Sequence, residues 1–244
     1  MRELPAILSL GEIDSTNLEA GRRLEAGERG PLWITAQVQT AGRGRLGRNW
    51  ETPSGNLAAT LLTTTQRPPM EAAQVAFVAA LAVADVVGGY ADASMVRLKW
   101  PNDTLLGGRK VSGVLVESGA LPAGEGLWLI VGIGVNLAHA PKFADRPATA
   151  IADHLDGSAP SPSDAAHRLA AAFGRWVAIW ESQGFAPIAA AWTERAYGLG
   201  EICVARLPNE TIEGVAEGLD GDGALRLRLA DGAVRRITAG DVFF

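Results

Sequence analysis

Lys99-Trp100-Pro101-Asn102-Asp103-Thr104-Leu105-Leu106-Gly107-Gly108-Arg109-Lys110-Val111-Ser112-Gly113-Val114-Leu115-Val116-Glu117 carries more structural information than any other stretch of this chain. Met95 to Trp100 has the texture of a strand, and Pro101, which cannot donate to a ladder, ends it. Thr104 to Leu106, the Gly107-Gly108 pair and Lys110 to Glu117 then read as a hairpin. Pro101 aims Asn102 and Asp103 outward from the strand end. An Asp beside an Asn there binds Mg²⁺ or orients a nucleophile, or else is an ordinary Pro-Asn-Asp turn. Gly113 inside an apolar strand marks close approach of a ligand or of another backbone. Lys110, which opens that strand, places an ammonium where it neutralises charge as a phosphoryl group transfers.

Working outward, Leu127 to Val135 is a further apolar strand, followed by Asn136. Its alternating Gly132 and Gly134 weaken it unless a flat apolar ligand or a tightly packed element covers the bare face. Upstream, Ile7 to Leu10, Leu32 to Val38 and Leu57 to Thr65 read as strands. Pro68-Pro69 opens one apolar helix from about Met70 to Val87, ended by Gly88-Gly89. Two or three helices fill 149 to 196, with Leu169, Phe173, Trp176, Val177 and Trp180 at the helical spacing of a core face. From Gly198 the texture changes to short β-like runs (Ile202 to Leu207, Thr211 to Glu217, Ala224 to Leu229, Val234 to Thr238) broken by Asp-Gly turns. Such runs predict a small barrel of about 45 residues. The chain therefore divides into residues 1–197 and 198–244.

Two polar clusters stand apart from this framework. Gly42-Arg43-Gly44-Arg45-Leu46-Gly47-Arg48-Asn49-Trp50 contains G-x-G-x-x-G, but more loop and then a strand follow it. A dinucleotide fingerprint needs a helix at that point. Residues 41 to 56 read instead as a long loop whose glycines let backbone bend around a ligand and whose guanidinium groups grip carboxylate or phosphate. Such a loop is suited to closing over an anion and excluding water. Asp14-Ser15-Thr16-Asn17 is dense in residues that cap helices, and it also offers hydroxyl and amide groups to a ligand.

Composition narrows the functional classes. The 244 residues are 48% apolar and 20% charged, so the chain buries a core and is not disordered. The net charge of -5 argues against a general nucleic-acid binder. One cysteine, Cys203, excludes a disulfide framework and a cysteine-based zinc site. No apolar run reaches the roughly 18 residues of a membrane span, and the first fifteen residues lack the pattern of a signal peptide. The expected location is the cytoplasm, with neither membrane nor DNA as partner. Only three of the 22 basic residues are lysines, Lys99, Lys110 and Lys142. A lysine in an arginine-dominated chain is a candidate for a task that needs an ammonium.

The order and spacing of Asp14-Ser15-Thr16-Asn17, Gln39-Thr40-Ala41-Gly42-Arg43-Gly44-Arg45-Leu46-Gly47-Arg48-Asn49-Trp50, Lys99-Trp100-Pro101-Asn102-Asp103, Lys110-Val111-Ser112-Gly113-Val114-Leu115-Val116-Glu117 and Gly132-Ile133-Gly134-Val135-Asn136 closely resemble the biotin protein ligase family, over essentially the whole chain. The resemblance implies an α+β fold. Its catalytic domain has a mixed sheet of the class II aminoacyl-tRNA synthetase and biotinyl-lipoyl ligase type, and a small C-terminal SH3-like β-barrel follows. It implies ATP-dependent formation of biotinyl-5′-AMP, then transfer of biotin to one lysine of a biotin carboxyl carrier protein domain. A lipoate or octanoate ligase on the same fold is the alternative, and it lacks the paired arginine-glycine and Lys-Trp-Pro-Asn-Asp elements.

By the same resemblance Ser15, Thr16, Asn17 and Gln39 would line the biotin head group, and Gly132 and Gly134 would floor its bicycle. Arg43, Gly44, Arg45, Lys110 and Gly113 would complete the biotin site. Arg45, Trp50, Asn102, Lys110 and Asn136 would meet ATP. Lys110, Arg45 and Asp103 would carry the chemistry, with Asp103 also a ligand for Mg²⁺. Lys99 belongs to a motif but has no assigned task. In some relatives a longer tail of the barrel supplies a basic contact to ATP, for which Arg235 or Arg236 is the candidate substitute here. The motifs start within the first fifteen residues, which implies a monofunctional ligase without a preceding winged helix. A homodimer paired through sheet edges is implied by analogy.

Overall fold

A computed structural model describes residues 4–141 and 147–244; Lys142 lies outside the described residues. The elements run β1 (Ala6–Ile13), α1 (Thr16–Glu25), β2 (Leu32–Gln39), β3 (Leu57–Thr65), α2 (Pro69–Ala72), α3 (Val75–Gly88), β4 (Val96–Lys99), β5 (Asp103–Leu106), β6 (Arg109–Ala120), β7 (Leu127–Val135), α4 (Pro162–Gln183) and α5 (Ala186–Glu194). Five short strands follow: β8 (Ile202–Arg206), β9 (Thr211–Leu219), β10 (Leu225–Arg228), β11 (Val234–Ile237) and β12 (Asp241–Phe243).

The first seven strands form one mixed sheet in the order β1-β2-β3-β7-β6-β5-β4. β1 and β2 run parallel, and the remaining pairs are antiparallel. Side chains alternate between its faces. On one face Val131 and Ile133 of β7 and Val114 of β6 meet α3 and α4 in a large apolar core. On the other, Ile130 joins Ile34 and Leu62 under Ala20 of α1. α1 covers only part of that second face. The uncovered remainder holds a row of directly opposed residues: Lys99, Asp103, Gly113, Gly134, Ala58 and Ala36. Small side chains floor one end of the row and charges mark the other.

The apolar helix expected from Met70 to Val87 is broken in two at Ala73–Gln74. Gln74 is buried there, and its side chain accepts a hydrogen bond from Trp180 Nε1 at 3.0 Å. Trp180 is thus part of the core, as its helical spacing predicts. The expectation that nothing reaches membrane-spanning length needs correction. Pro69–Gly88 is long and apolar enough by length and composition, and 72% of that window is buried inside the fold. Its apolar surface is satisfied by protein.

The last five strands form an antiparallel sheet in the order β11-β10-β9-β8-β12, with a bulge between Arg226 and Leu227. β12 has no counterpart in the sequence reading, because three residues are too few to display periodicity. The two sheets share one apolar core. Trp100 Nε1 donates to the Gly223 carbonyl at 3.1 Å, and Gly223 lies where a Cβ would fall 2.7 Å from the Phe77 ring. These contacts bring β12 beside the cavity described next.

Candidate active site

A cavity of about 480 Å³ opens on the part of the sheet that α1 leaves uncovered. Its lining contains Ser15, Thr16, Asn17, Gln39, Arg43, Gly44, Arg45, Trp50, Asn102, Asp103, Lys110, Gly113, Gly132 and Gly134. Five separated motifs therefore converge on one site. Asn136 does not join them.

One end is neutral and densely hydrogen-bonded. The Thr16 N–H and hydroxyl both donate to Gln39 Oε1, at 2.8 and 3.0 Å. Gln39 Nε2 donates to Thr52 Oγ1 at 3.0 Å. Thr60 Oγ1 lies 2.7 Å from both Thr16 Oγ1 and Asn17 Oδ1, and Asn17 Nδ2 donates to Glu117 Oε2 at 2.7 Å. Each amide is thus held in one orientation. Ser15 stands at the N-cap of α1 with extended backbone, yet its side chain makes no cap hydrogen bond. The expected capping role is corrected on this point: the Ser15 hydroxyl lines the cavity instead. Beside it, two hydrogen bonds from Arg22 hold the Asp14 carboxyl down at about 2.

The glycines have a measurable purpose. A Cβ on Gly132 would lie 2.3 Å from Asn17 Oδ1, and one on Gly134 would lie 2.2 Å from Trp50 Nε1. Asn17 and the Trp50 indole therefore come close to the bare strand face, which at the same time lines the cavity. Gly113 leaves room for Lys110 Nζ and the Trp50 ring, each 3.3 Å from a Cβ position.

The other end is charged. Lys110 Nζ pairs with Asp103 Oδ1 at 2.5 Å and lies 5.5 Å from the centre of the Trp50 ring. Asn102 and Asp103 do not point outward, contrary to expectation. The turn through Trp100 and Pro101 folds back on the sheet, Asn102 Nδ2 donates to the Val114 carbonyl at 2.6 Å, and Asp103 is 9% exposed. The arginine-glycine stretch is also more ordered than a loop. Gly44 N–H donates to Arg48 O and Trp50 N–H to Gly42 O, closing a small hairpin around a 3₁₀ turn at Arg45–Gly47. Gly42 is required because a Cβ there would lie 2.4 Å from Trp50 O. Arg45 donates to Asn102 Oδ1 at 3.3 Å and to the Gly240 carbonyl at 3.0 Å, and Arg48 pairs with Asp241. Arg43 is exposed and has no hydrogen-bond or ionic partner among the described residues.

Sequence reasoning missed Asp241, Val242, Glu51 and Leu115 in the lining, and gave Arg48 no task of its own. Asp241 is 193 residues from Arg48, so no local pattern announces the pair. Two groups expected at the nucleotide lie outside the lining. Arg235 pairs with Glu210, and Arg236 with Asp220 and Asp222, and neither lines the cavity. Asn136 is 1% exposed, its Nδ2 donates to the Thr149 carbonyl, and its backbone ties to Val111 and Ile151. Its Oδ1, however, is buried without a partner.

Five cationic side chains (Arg43, Arg45, Arg48, Lys99 and Lys110) face three acidic ones (Glu51, Asp103 and Asp241) in a chain whose overall charge is negative. The cavity thus suits an anion whose other end is neutral and polar. Among the described residues no group of three or more His, Cys, Asp or Glu is placed to hold a metal. Asp103 alone fits the modest demand of Mg²⁺ that arrives on phosphates, which takes one or two carboxylates and keeps several waters.

Residues 11–136 match the family model described as the biotin/lipoate A/B protein ligase family, and residues 198–244 match the biotin protein ligase C-terminal domain. The chain belongs to the biotin/lipoate A/B protein ligase family. It is 44% identical over 241 residues to a biotin–[acetyl-CoA-carboxylase] ligase of Paracoccus denitrificans, covering 96% of this chain and 99% of that one. It is 28% identical to a bifunctional ligase/repressor of Escherichia coli, covering 97% of this chain and 73% of that protein. The biotin protein ligase of Aquifex aeolicus, solved with biotin and ATP, superimposes with a TM-score of 0.80 at 26% identity, covering 98% and 97% of the two chains. The Leishmania major enzyme, solved with biotinyl-5-AMP, gives 0.68 at 28% identity, covering 96% and 99%. The expected α+β fold, a mixed-sheet domain followed by a C-terminal antiparallel sheet, is the one observed.

Proposed function

We propose that this chain joins biotin to ATP as biotinyl-5′-AMP and then transfers biotin to a lysine of a biotin carboxyl carrier domain. The observation that carries this reading is the two-ended cavity, with Lys110 and Asp103 between a neutral hydrogen-bonding end and a cationic end. A ureido ring offers one acceptor and two donors. Ser15 Oγ, Thr16, Asn17 and Gln39 match that set. A thin aliphatic acid such as lipoate or octanoate would leave those polar groups without ligand partners, at a cost of about 1–3 kcal/mol for each one desolvated. The close identity to the Paracoccus enzyme supports the same choice.

In the first step an oxygen of the biotin carboxylate attacks the α-phosphorus, and the bond to the bridging oxygen breaks. Pyrophosphate leaves with the electron pair, and no proton moves. Lys110 offsets the repulsion between carboxylate and α-phosphate and stabilises the charge that develops; such a group contributes about 10² to 10³ in rate. Arg43 and Arg45 hold carboxylate and phosphate oxygens through their forks. Mg²⁺, when bound on the phosphates, would neutralise part of their charge, with Asp103 as its protein ligand. In the second step the carrier's neutral lysine amine attacks the carbonyl carbon, the bond from that carbon to the phosphate oxygen breaks, AMP leaves with the electron pair, and the nitrogen gives up a proton to water. Asp103, whose carboxylate is held by Lys110, orients the incoming neutral amine by accepting one of its N–H hydrogens.

We assign Asn136 to the nucleotide as well, on the strength of its orphaned Oδ1, which awaits a donor. We divide the chain at 197/198, place the enzyme in the cytoplasm, and place the carrier at the outer half of β6. From Leu115 to Ala120 that strand has a ladder partner on one side only among the described residues, and Leu115 lines the cavity. The same open edge would serve a homodimer. The test is incubation with biotin, MgATP and an apo carrier domain. The expected result is one biotinylated carrier lysine by mass spectrometry, and no label after lipoate replaces biotin. Labelling with lipoate instead would replace the reading by its alternative.

A further inference from the structure

The neutral end of the cavity holds more acceptors than hydrogens. Gln39 Oε1, Thr16 Oγ1, Thr60 Oγ1 and Asn17 Oδ1 stand in a row, with successive contacts of 3.0, 2.7 and 2.7 Å. An O···O contact of that length is a hydrogen bond only if a hydrogen lies in it. Each of the two hydroxyls brings one hydrogen, and neither amide oxygen brings any. The three contacts therefore share two hydrogens.

Either amide would supply the missing hydrogen by turning its NH₂ group toward the row. Gln39 is prevented by the Thr16 backbone N–H, which donates to Oε1 at 2.8 Å and needs an acceptor there. Asn17 is prevented by Glu117, to whose Oε2 its Nδ2 donates at 2.7 Å. A reversed Asn17 would set its Oδ1 against a carboxylate, which only accepts. Glu117 itself does not line the cavity. It is exposed on β6 opposite Ile130, on the sheet face that carries Gly113 and Gly132. The shortage of hydrogen at the neutral end is thus imposed by a side chain outside it.

We propose that Glu117 is a positioning residue for head-group specificity. By fixing the Asn17 amide with its oxygen toward Thr60, it leaves this end one hydrogen short and makes it demand a ligand that donates. The inference rests on the biotin reading proposed above. With the Thr60 hydrogen directed to Thr16 and the Thr16 hydrogen to Gln39, the acceptor left over is Asn17 Oδ1, beside the Gly132 floor. A ureido N–H fills it. A head group that offers no donor there leaves it empty in a desolvated site, a difference of about tenfold to a hundredfold in affinity. A neutral amide at position 117 cancels the demand. It accepts or donates equally well, so Asn17 reverses, its NH₂ group completes all three contacts, and no acceptor is left for the ligand to satisfy.

The experiment measures by calorimetry the affinity of the wild type and of Glu117→Gln for biotin and for the two biotins methylated at one ureido nitrogen. Glu117 is exposed and glutamine keeps its shape, so the fold tolerates the change. Biotin affinity is expected to fall about tenfold, while at least one methylated biotin changes by less than about threefold, so that the preference for biotin over it narrows. In pyrophosphate exchange the loss is expected in KM for biotin rather than in kcat. Unchanged biotin affinity, or equal losses for biotin and both methylated forms, would overturn the role of Glu117. If the methylated biotins bind too weakly to measure, a double-mutant cycle with Thr60→Val decides. Without the Thr60 hydroxyl Asn17 gains nothing by reversing, so Glu117→Gln is expected to weaken biotin by less than about threefold in that background; additive losses overturn the role. A wild-type chain that binds no biotin would overturn the proposed function itself, which is a distinguishable failure.

Discussion

The two ends of the cavity are built on different principles. At one end Thr16, Asn17, Gln39 and Thr60 sit on α1, β2 and β3, and their amides and hydroxyls lock one another within 3.0 Å. No net charge is involved beyond Glu117 at the rim. At the other end Arg45 and Arg48 ride on a hairpin that reaches across to Asp241 and Gly240 of the second sheet. Neutral networks on rigid elements fix shape and so select a substrate. Ion pairs between a hairpin and a separate sheet hold more weakly and yield to a better anion. The difference teaches that recognition and chemistry are divided between the ends, with Lys110 at the seam.

The largest expected effect comes from the seam. Lys110→Gln should slow biotinyl-5′-AMP formation by about 10² to 10³, measured by pyrophosphate exchange at saturating biotin. The next comes from the neutral end. Thr16→Val removes a donor to Gln39 and an acceptor for Thr60, so biotin affinity by calorimetry should fall about tenfold to a hundredfold. The rate at saturating biotin should change by no more than about threefold. A Thr16 variant that lost rate rather than affinity would break the division between the ends.

A smaller effect is expected at the hairpin. Asp241→Asn removes the counter-ion of Arg48, an exposed pair worth less than about 1 kcal/mol. Trypsin should cut after Arg43, Arg45 or Arg48 a few times faster in the variant, with biotin and ATP restoring protection. Equal cleavage with and without ligand would remove the closing role of the hairpin. The smallest effect concerns Cys203, whose thiol burial pushes up to about 11. Iodoacetamide at pH 8 should leave it unmodified until denaturant is added. Because the folded thiol holds its proton beyond the point where an unfolded one loses it, its contribution to stability declines as pH rises from about 9 to 11.

What was legible in the sequence follows the distance over which each contact acts. Gly42 is small because of Gln39 and Trp50 in its own motif, whereas Gly134 answers to Trp50 from a distant one and Gly113 to both Lys110 nearby and Trp50 far away. The Leu57–Thr65 and Leu127–Val135 strands are bounded as read, since their apolar runs are long. The break at Ala73–Gln74 was not legible, because it depends on Trp180 more than a hundred residues away. Asp241 and β12 were not legible for the same reason. The inward turn of Asn102 and Asp103 depends on Val114 and Lys110, and Pro101 alone says only that a strand ends. Asn136 sits in a site motif yet is buried against Thr149, so motif membership does not guarantee contact with the cavity.

The measurement that tests the central claim most directly is exchange of labelled pyrophosphate into ATP by the purified chain, with and without biotin. The two-ended cavity predicts exchange that depends strictly on biotin and Mg²⁺ and that Lys110→Gln abolishes to within about 1% of wild type. Exchange that proceeds without biotin, or that survives in Lys110→Gln at the wild-type rate, would contradict it.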